Sequence, residues 1–176
     1  MRPALFIDRD GTINKDCPYC NGPEQINIFE DVFEPLKELS KYFLIIIITN
    51  QSGISRGFFT EEDLKRMHEK IEREINERGG RIDAIYYCPH LPEDNCNCRK
   101  PKTGLVEKAM RDFDIDLKES FVIGNDDKDI GLAKNLGIRS IKVRDDSPSQ
   151  GDYNVKDFNG VLEIISKIRL LNSSIL

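Results

Sequence analysis

No apolar run in this sequence approaches the ~20 residues needed to cross a bilayer, so no membrane partner is expected. The first apolar strand begins within a few residues of Met1, which leaves no room for a signal peptide and points to a cytoplasmic protein. Basic residues are not in excess. Against 31 Asp and Glu stand 26 Lys and Arg, a net charge of −5 that argues against bulk binding to nucleic acid, although a local basic patch is invisible in that sum. Repeats and low-complexity segments are absent. Cysteine and histidine are scarce, at five and two residues. In a reducing compartment so few thiols point to metal binding or free cysteine rather than a disulfide framework. What is present is ordinary hydrophobic content and abundant charge over 176 residues, which suits one soluble domain, 1–176, with a real core. A monomer or weak oligomer is expected.

The chain is organised around Ala4-Leu5-Phe6-Ile7-Asp8-Arg9-Asp10-Gly11-Thr12. Four apolar residues read as a buried parallel strand that stops at Asp8. Asp10 follows at i+2, so both carboxylates can project to one side where the strand ends. Gly11 permits a turn with unusual dihedrals, and Thr12 can tie it down through its hydroxyl. Ligands of open α/β sheets bind at the carboxyl ends of strands. Two carboxylates converging there repel each other unless a cation sits between them, and oxygen-only ligation suits Mg²⁺. One could attack phosphorus while the other moves a proton. Taken alone, the same two residues also read as a simple strand-capping turn.

This stretch resembles motif I of the haloacid-dehalogenase (HAD) superfamily of phosphatases. The resemblance implies that Asp8 becomes an aspartyl-phosphate and that Asp10 is the general acid/base. It also implies that both help hold Mg²⁺, Asp8 by its side chain and Asp10 by its backbone carbonyl.

Residues 13–30 are too long for a tight turn and contain Pro18, Gly22 and Pro23, so they form a flap beside the first strand, with Asp16 and Tyr19 within substrate reach. Cys17 and Cys20 make a Cys-x-x-Cys pair with no second pair at finger-like spacing, and they read as flap residues rather than as a metal or redox site. An amphipathic helix is expected over 31–42, with Val32, Leu36 and Leu39 on one face. Phe43–Ile48 reads as a fully buried central strand. It ends at Thr49-Asn50-Gln51-Ser52-Gly53, where hydroxyl, amide and backbone N–H groups can cradle a phosphoryl group without adding charge. In HAD terms Thr49 matches motif II. The continuation through Ile54 to Arg56-Gly57 resembles the sugar-bisphosphate and histidinol-phosphate phosphatase branch, and also polynucleotide kinase phosphatase domains. Asn50, Gln51, Ser52 and Arg56 become substrate-binding candidates, Arg56 through a phosphate or hydroxyl.

A helix from Thr60 to about Glu77 carries a capping Thr and an acidic first turn; His68 lies on it among charged residues and reads as solvated. Ile82–Tyr87 reads as the next strand and leads into Cys88-Pro89-His90 and Cys96-Asn97-Cys98. Three sulfurs and one imidazole, in two i, i+2 pairs, suit a closed tetrahedral Zn²⁺ site with no open position for chemistry. Its role would be to order a loop, 88–102, that is too polar to order itself. Arg99 and Lys100 leave that loop together and are expected to aim at the centre above the sheet. There the lysine would neutralise charge shared by nucleophile and phosphate, and the arginine would grip a second anion. The family resemblance assigns Lys100 to motif III. The whole stretch is similar to the zinc loop of heptose-bisphosphate and histidinol-phosphate phosphatases, which polynucleotide kinase phosphatases lack.

A helix over Gly104–Phe113 and a strand over Ser120–Ile123 lead to Gly124-Asn125-Asp126-Asp127-Lys128-Asp129, the place of motif IV. The family pattern has Asp where Asn125 stands and, in its sugar phosphatases, Lys where Asp126 stands, while Asp129 falls where the later Asp belongs. Asn125 can ligate Mg²⁺ through its carbonyl but brings no charge, with Asp126 as a substitute. The acidic run can also cap a helix starting near Ile130. A short helix closes at Gly137, a strand covers Ser140–Val143, 144–152 form a loop, and Val161–Leu171 form a last helix with a frayed tail.

Alternating strands and helices imply an α/β fold, a three-layer doubly wound parallel sheet. The resemblance implies the HAD Rossmann-like version of it. No insertion is large enough for a cap domain, so the flap and zinc loop shape access. The expected activity is Mg²⁺-dependent hydrolysis of a small phosphorylated sugar or amino alcohol. Heptose 1,7-bisphosphate is the first substrate and histidinol phosphate the alternative; a weakly catalytic binding subunit is the alternative from another class.

Overall fold

The uninterrupted apolar strands lie where both of their faces are covered. The computed structural model describes residues 1–144 and 151–173. Six strands, β1 (Ala4–Ile7), β2 (Leu44–Asn50), β3 (Ala84–Cys88), β4 (Phe121–Gly124), β5 (Arg139–Val143) and β6 (Tyr153–Val155), form one sheet in the order β3-β2-β1-β4-β5-β6. Every pairing is parallel. Successive side chains alternate between faces. Leu5, Ile7, Ile45, Ile47 and Ile123 therefore pack on one side with α1 (Phe33–Leu39), α2 (Glu61–Glu77) and α5 (Phe158–Ser173). Phe6, Ile46, Ile48 and Val122 pack on the other with α3 (Gly104–Asp112) and α4 (Asp127–Leu136).

Register delivers the chemistry to one rim. Ile7 pairs with Ile47 on one side and Ile123 on the other. Asp8, Thr49 and Asn125 consequently emerge side by side at the carboxyl ends of β1, β2 and β4. β1 is also where the strand order reverses, the place such sheets open a crevice. Between β1 and α1 the flap contains two 3₁₀ turns, Pro23–Gln25 and Glu30–Val32, and folds back through a bridge between Asn14 and Ile28.

Several element bounds differ from the expectation for identifiable reasons. β2 runs on to Asn50, so Thr49 belongs to the strand rather than following it. α4 begins at Asp127, not near Ile130, because Asp126 is its N-cap and accepts from the Lys128 N–H at 2.9 Å. The 31–42 helix divides into a 3₁₀ turn and a shorter α1, and α5 begins at Phe158, earlier than Val161. α2 starts as its sequence requires, with a reciprocal capping box between Thr60 and Asp63. β6 is a three-residue edge strand too short to carry a pattern. Most of the 144–152 loop and the extreme tail lie outside the described residues. No described helix is long and apolar enough to cross a membrane.

Candidate active site

Asp8 is the first residue past β1, and its N–H donates to the Ile123 carbonyl at 2.9 Å. The Lys100 ammonium bridges Asp8 Oδ1 at 2.5 Å and Asp129 Oδ1 at 2.6 Å. Lys100 and Asp129 are both buried, and the second Asp129 oxygen accepts from the Asp126 N–H. Asn50 fixes the lysine's backbone with a reciprocal pair, its Oδ1 accepting from Lys100 N at 3.0 Å and its Nδ2 donating to Lys100 O at 3.3 Å. Two carboxylates thus share one ammonium. Burial pushes the Asp8 carboxyl up to about 7, opposed by Lys100 and reinforced by Asp129. Burial alone would lower the Lys100 pKa, but the Asp129 and Asp8 carboxylates more than offset it and hold the ammonium charged.

Asp10 is held differently. Arg9 Nε and Nη2 donate to Oδ1 at 3.0 and 2.9 Å, and Nη2 also donates to Oδ2 at 2.8 Å. Asn14 Nδ2 adds a bond to Oδ1 at 3.0 Å and Gln51 Nε2 one to Oδ2 at 2.7 Å. Burial would raise the Asp10 carboxyl, but Arg9, Asn14 and Gln51 outweigh it and hold it below the usual carboxylate range. Gln51 is itself buried and also donates to Thr49 Oγ1 at 2.9 Å, so its amide links the two motif residues instead of facing substrate.

Asn125 is half-buried beside the Gly11–Thr12 turn, where Thr12 Oγ1 donates to its Oδ1 at 2.9 Å. Gly11 sits at φ 76°, and a Cβ there would collide with the Asn125 amide. Asp126 is exposed and spends its carboxylate on the α4 cap and on Lys128 Nζ at 3.1 Å.

These groups line a cavity of about 400 Å³ with Asp16, Tyr19 and Lys128. Side-chain oxygens of Asp8, Asn125 and Asp126 and the backbone carbonyl of Asp10 are the donor type a hard divalent cation takes, and the shortage of positive charge around Asp8 favours one. Ser52 lines a smaller adjoining cavity with Asn50 and Gln51. Arg56 is exposed and does not line the main cavity. Arg99 does not line it either, because its Nη1 turns back to the His90 carbonyl at 3.1 Å. Of the adjacent pair only Lys100 enters the site.

The second cluster stands at the end of β3. Cys88, His90, Cys96 and Cys98 place one ligand atom each within 4.8 Å of one another. The sulfurs are 3.0 to 3.5 Å apart, and His90 Nδ1 lies 3.2 and 3.6 Å from Cys98 and Cys88. A tetrahedral zinc centre has sulfur–sulfur edges of about 3.8 Å and sulfur–nitrogen edges of about 3.6 Å. The donor set and its spacing fit that ion closely.

The flap departs from expectation in one respect. Cys17 and Cys20 are joined by a disulfide, their Cα atoms 5.5 Å apart, instead of standing as plain flap thiols. The turn between them brings the sulfurs together and presents Tyr19, at φ 60°, against the exposed Phe58 ring 4.3 Å away.

His68 is buried in the structure, not solvated. It is 8% exposed, and its Nε2 lies 3.3 Å from Arg9 Nη1. Burial, then the Arg9 charge, push its pKa from 6.5 down to about 3, with Asp10 opposing. The sequence did carry a signal: Leu64, Met67, His68, Ile71 and Ile75 form one helical stripe. Between pH 6.5 and 3 the unfolded chain binds a proton at this residue that the folded chain refuses. The stability it contributes is complete above pH 6.5 and falls by about 1.4 kcal/mol per pH unit below it. Urea unfolding across that range checks this: His68→Gln should have a shallower acid slope than the parent, and an unchanged slope would contradict it. Arg9, Asn14 and Lys128 likewise have contacts at the site that motif reading did not assign to it.

Residues 97–168 match the HAD-hydrolase-like family model. Over 123 residues the chain is 52% identical to the probable D-glycero-D-manno-heptose-1,7-bisphosphate 7-phosphatase of Thermoplasma volcanium, covering 69% of this chain and 84% of that one. It is 37% identical over 164 residues to the D-glycero-alpha-D-manno-heptose-1,7-bisphosphate 7-phosphatase of Campylobacter jejuni, covering 93% and 94%. The crystal structure of D,D-heptose 1,7-bisphosphate phosphatase from B. bronchiseptica, complexed with magnesium and phosphate, superposes with a TM-score of 0.85 at 28% identity, covering 95% of this chain and 99% of that one.

Proposed function

Because this chain belongs to the HAD-like D-glycero-D-manno-heptose-1,7-bisphosphate phosphatase family, we propose that it hydrolyses the 7-phosphate of heptose 1,7-bisphosphate through an aspartyl-phosphate. The observation that carries the reading is Lys100 bridging Asp8 and Asp129 at the end of β1, on the wall of an open cavity. Asp8 attacks phosphorus while the bond to the sugar oxygen breaks, and Asp10, which takes up a proton as the negatively charged phosphate enters beside it, delivers that proton to the oxygen. Asp10 then takes a proton from the water that attacks phosphorus, which releases phosphate and restores Asp8. Thr49 and backbone N–H groups hold the phosphoryl oxygens, while Lys100 and Asp129 fix the nucleophile.

Asp8, Asp10 and Asn125 are the residues that would hold Mg²⁺. When bound, it neutralises phosphoryl charge and keeps Asp8 ionised. Cys88, His90, Cys96 and Cys98 would hold structural zinc. The non-reacting phosphate needs a cation that Arg56 and Arg99 do not supply to the cavity. Lys128 lines it and, among the described residues, pairs with the exposed Asp126 at little cost to break. We assign it to that phosphate.

Phosphorus NMR of the reaction tests the assignment: the 7-phosphate signal should vanish while the 1-phosphate persists, and the reverse order would contradict it. Lys128→Ala is expected to raise KM for the bisphosphate about tenfold, the worth of one charge-assisted hydrogen bond. KM for 4-nitrophenyl phosphate should not move. An equal rise for both substrates would remove Lys128 from the second-phosphate role.

A further inference from the structure

The Asp10 carboxylate receives three of its hydrogen bonds from Arg9, and that guanidinium is itself held from behind. Arg9 is 2% exposed, so its remaining N–H groups must find partners inside the protein. A guanidinium only donates. The nitrogen 3.3 Å from Nη1, His68 Nε2, must therefore accept, which fixes a neutral imidazole with its hydrogen on Nδ1. His68 has little freedom to retreat, because it rides on α2 among Leu64, Met67, Ile71 and Ile75, all packed into the core. A continuous run of contacts joins the buried face of a helix to the carboxylate at the reacting centre.

We propose that His68 is a positioning residue of the phosphatase reaction. Through Arg9 Nη1 it fixes the plane of the guanidinium, and thereby the aim of the Asp10 carboxyl at the leaving-group oxygen and the attacking water. Without that anchor, Arg9 can rotate about its terminal torsions to satisfy Nη1 elsewhere, and the two-pronged grip on Asp10 turns with it. Displacement of a catalytic group by about 1 Å costs on the order of a hundredfold in rate. The inference rests on Asp10 being the acid/base, and the experiment keeps the two claims apart.

Leaving-group dependence in single turnovers separates positioning from general structural damage. From heptose 1,7-bisphosphate the sugar 1-phosphate departs as an alkoxide and needs a proton from Asp10; from 4-nitrophenyl phosphate the leaving group is a stable phenolate and needs none. His68→Leu should slow phosphoryl transfer from the sugar substrate about tenfold or more, but from the aryl phosphate less than about twofold, with KM little changed for either. His68→Gln, whose amide oxygen can accept from Nη1, should restore most of the rate. His68→Asn is too short to reach Arg9 and should behave as the Leu variant does, which keeps the test available if leucine disturbs the fold. Equal losses with both substrates, or a Leu or Asn variant with the parent rate, would overturn the role of His68. Asp10→Asn is the control. If it shows no leaving-group dependence, the acid/base assignment of Asp10 fails; if it shows one and the His68 variants do not, only the positioning claim fails.

Discussion

Replacing Asp8 with Asn is expected to lower kcat by about 10⁴-fold or more while leaving the fold intact. An amide oxygen can still accept from Lys100, so the bridge to Asp129 has a partner, but the amide is no nucleophile and no covalent phosphoryl-enzyme can form. The folded state should tolerate the change because it removes a carboxyl whose ionisation burial already opposes. Phosphate release and the mass of acid-quenched enzyme are the two measurements. The parent should show an added phosphoryl group during turnover and the variant none. A variant within about tenfold of the parent rate would move the nucleophile elsewhere.

Loss of zinc should be nearly as damaging although none of its ligands lines the catalytic cavity. Pro92, Glu93, Asp94 and Asn95 are exposed, so the loop buries little apolar surface with which to order itself. Zinc coordination in small sites is worth on the order of 10 kcal/mol of folding free energy. The last ligand, Cys98, stands two residues before Lys100 in the same loop, so disorder of that loop releases the ammonium that bridges Asp8 and Asp129. Cys98→Ser is therefore expected to lower Tm by about 10 °C or more and kcat/KM by about a hundredfold or more. Chelation followed by Mg²⁺ alone should leave the protein inactive, with Zn²⁺ needed for recovery. Full recovery with Mg²⁺ alone would show that the cluster does not support the site.

Features set by local pattern were the legible ones. Asp8 and Asp10 stand out because an apolar strand ends abruptly at a glycine turn, and the zinc ligands because soft donors are otherwise so scarce. Side-chain direction was not legible. Arg99 and Lys100 are adjacent in sequence and were both expected over the sheet; only Lys100 enters, since the backbone sends its neighbour toward the His90 carbonyl. Gln51 reads as a phosphate-side amide until Asp10 and Thr49 are seen to lie within its reach. His68 was misread because the charged residues around it on α2 obscured its place on the buried stripe, and its partner Arg9 is 59 positions away. The Cys17–Cys20 spacing permitted a disulfide without requiring one, and the outcome depended on how the flap turns. Lys128 stood in the motif IV run without a role of its own, since only tertiary packing puts the start of α4 on the cavity wall.

The most direct test of the account is a comparison of kcat/KM, in Mg²⁺, for both anomers of heptose 1,7-bisphosphate, histidinol phosphate and 4-nitrophenyl phosphate. A heptose anomer should exceed histidinol phosphate by about tenfold or more, because only the bisphosphate offers a second anion to Lys128. Histidinol phosphate turned over as well as or better than both heptose anomers would contradict the assignment of the cavity. Phosphate release from none of the four would contradict the phosphatase mechanism itself.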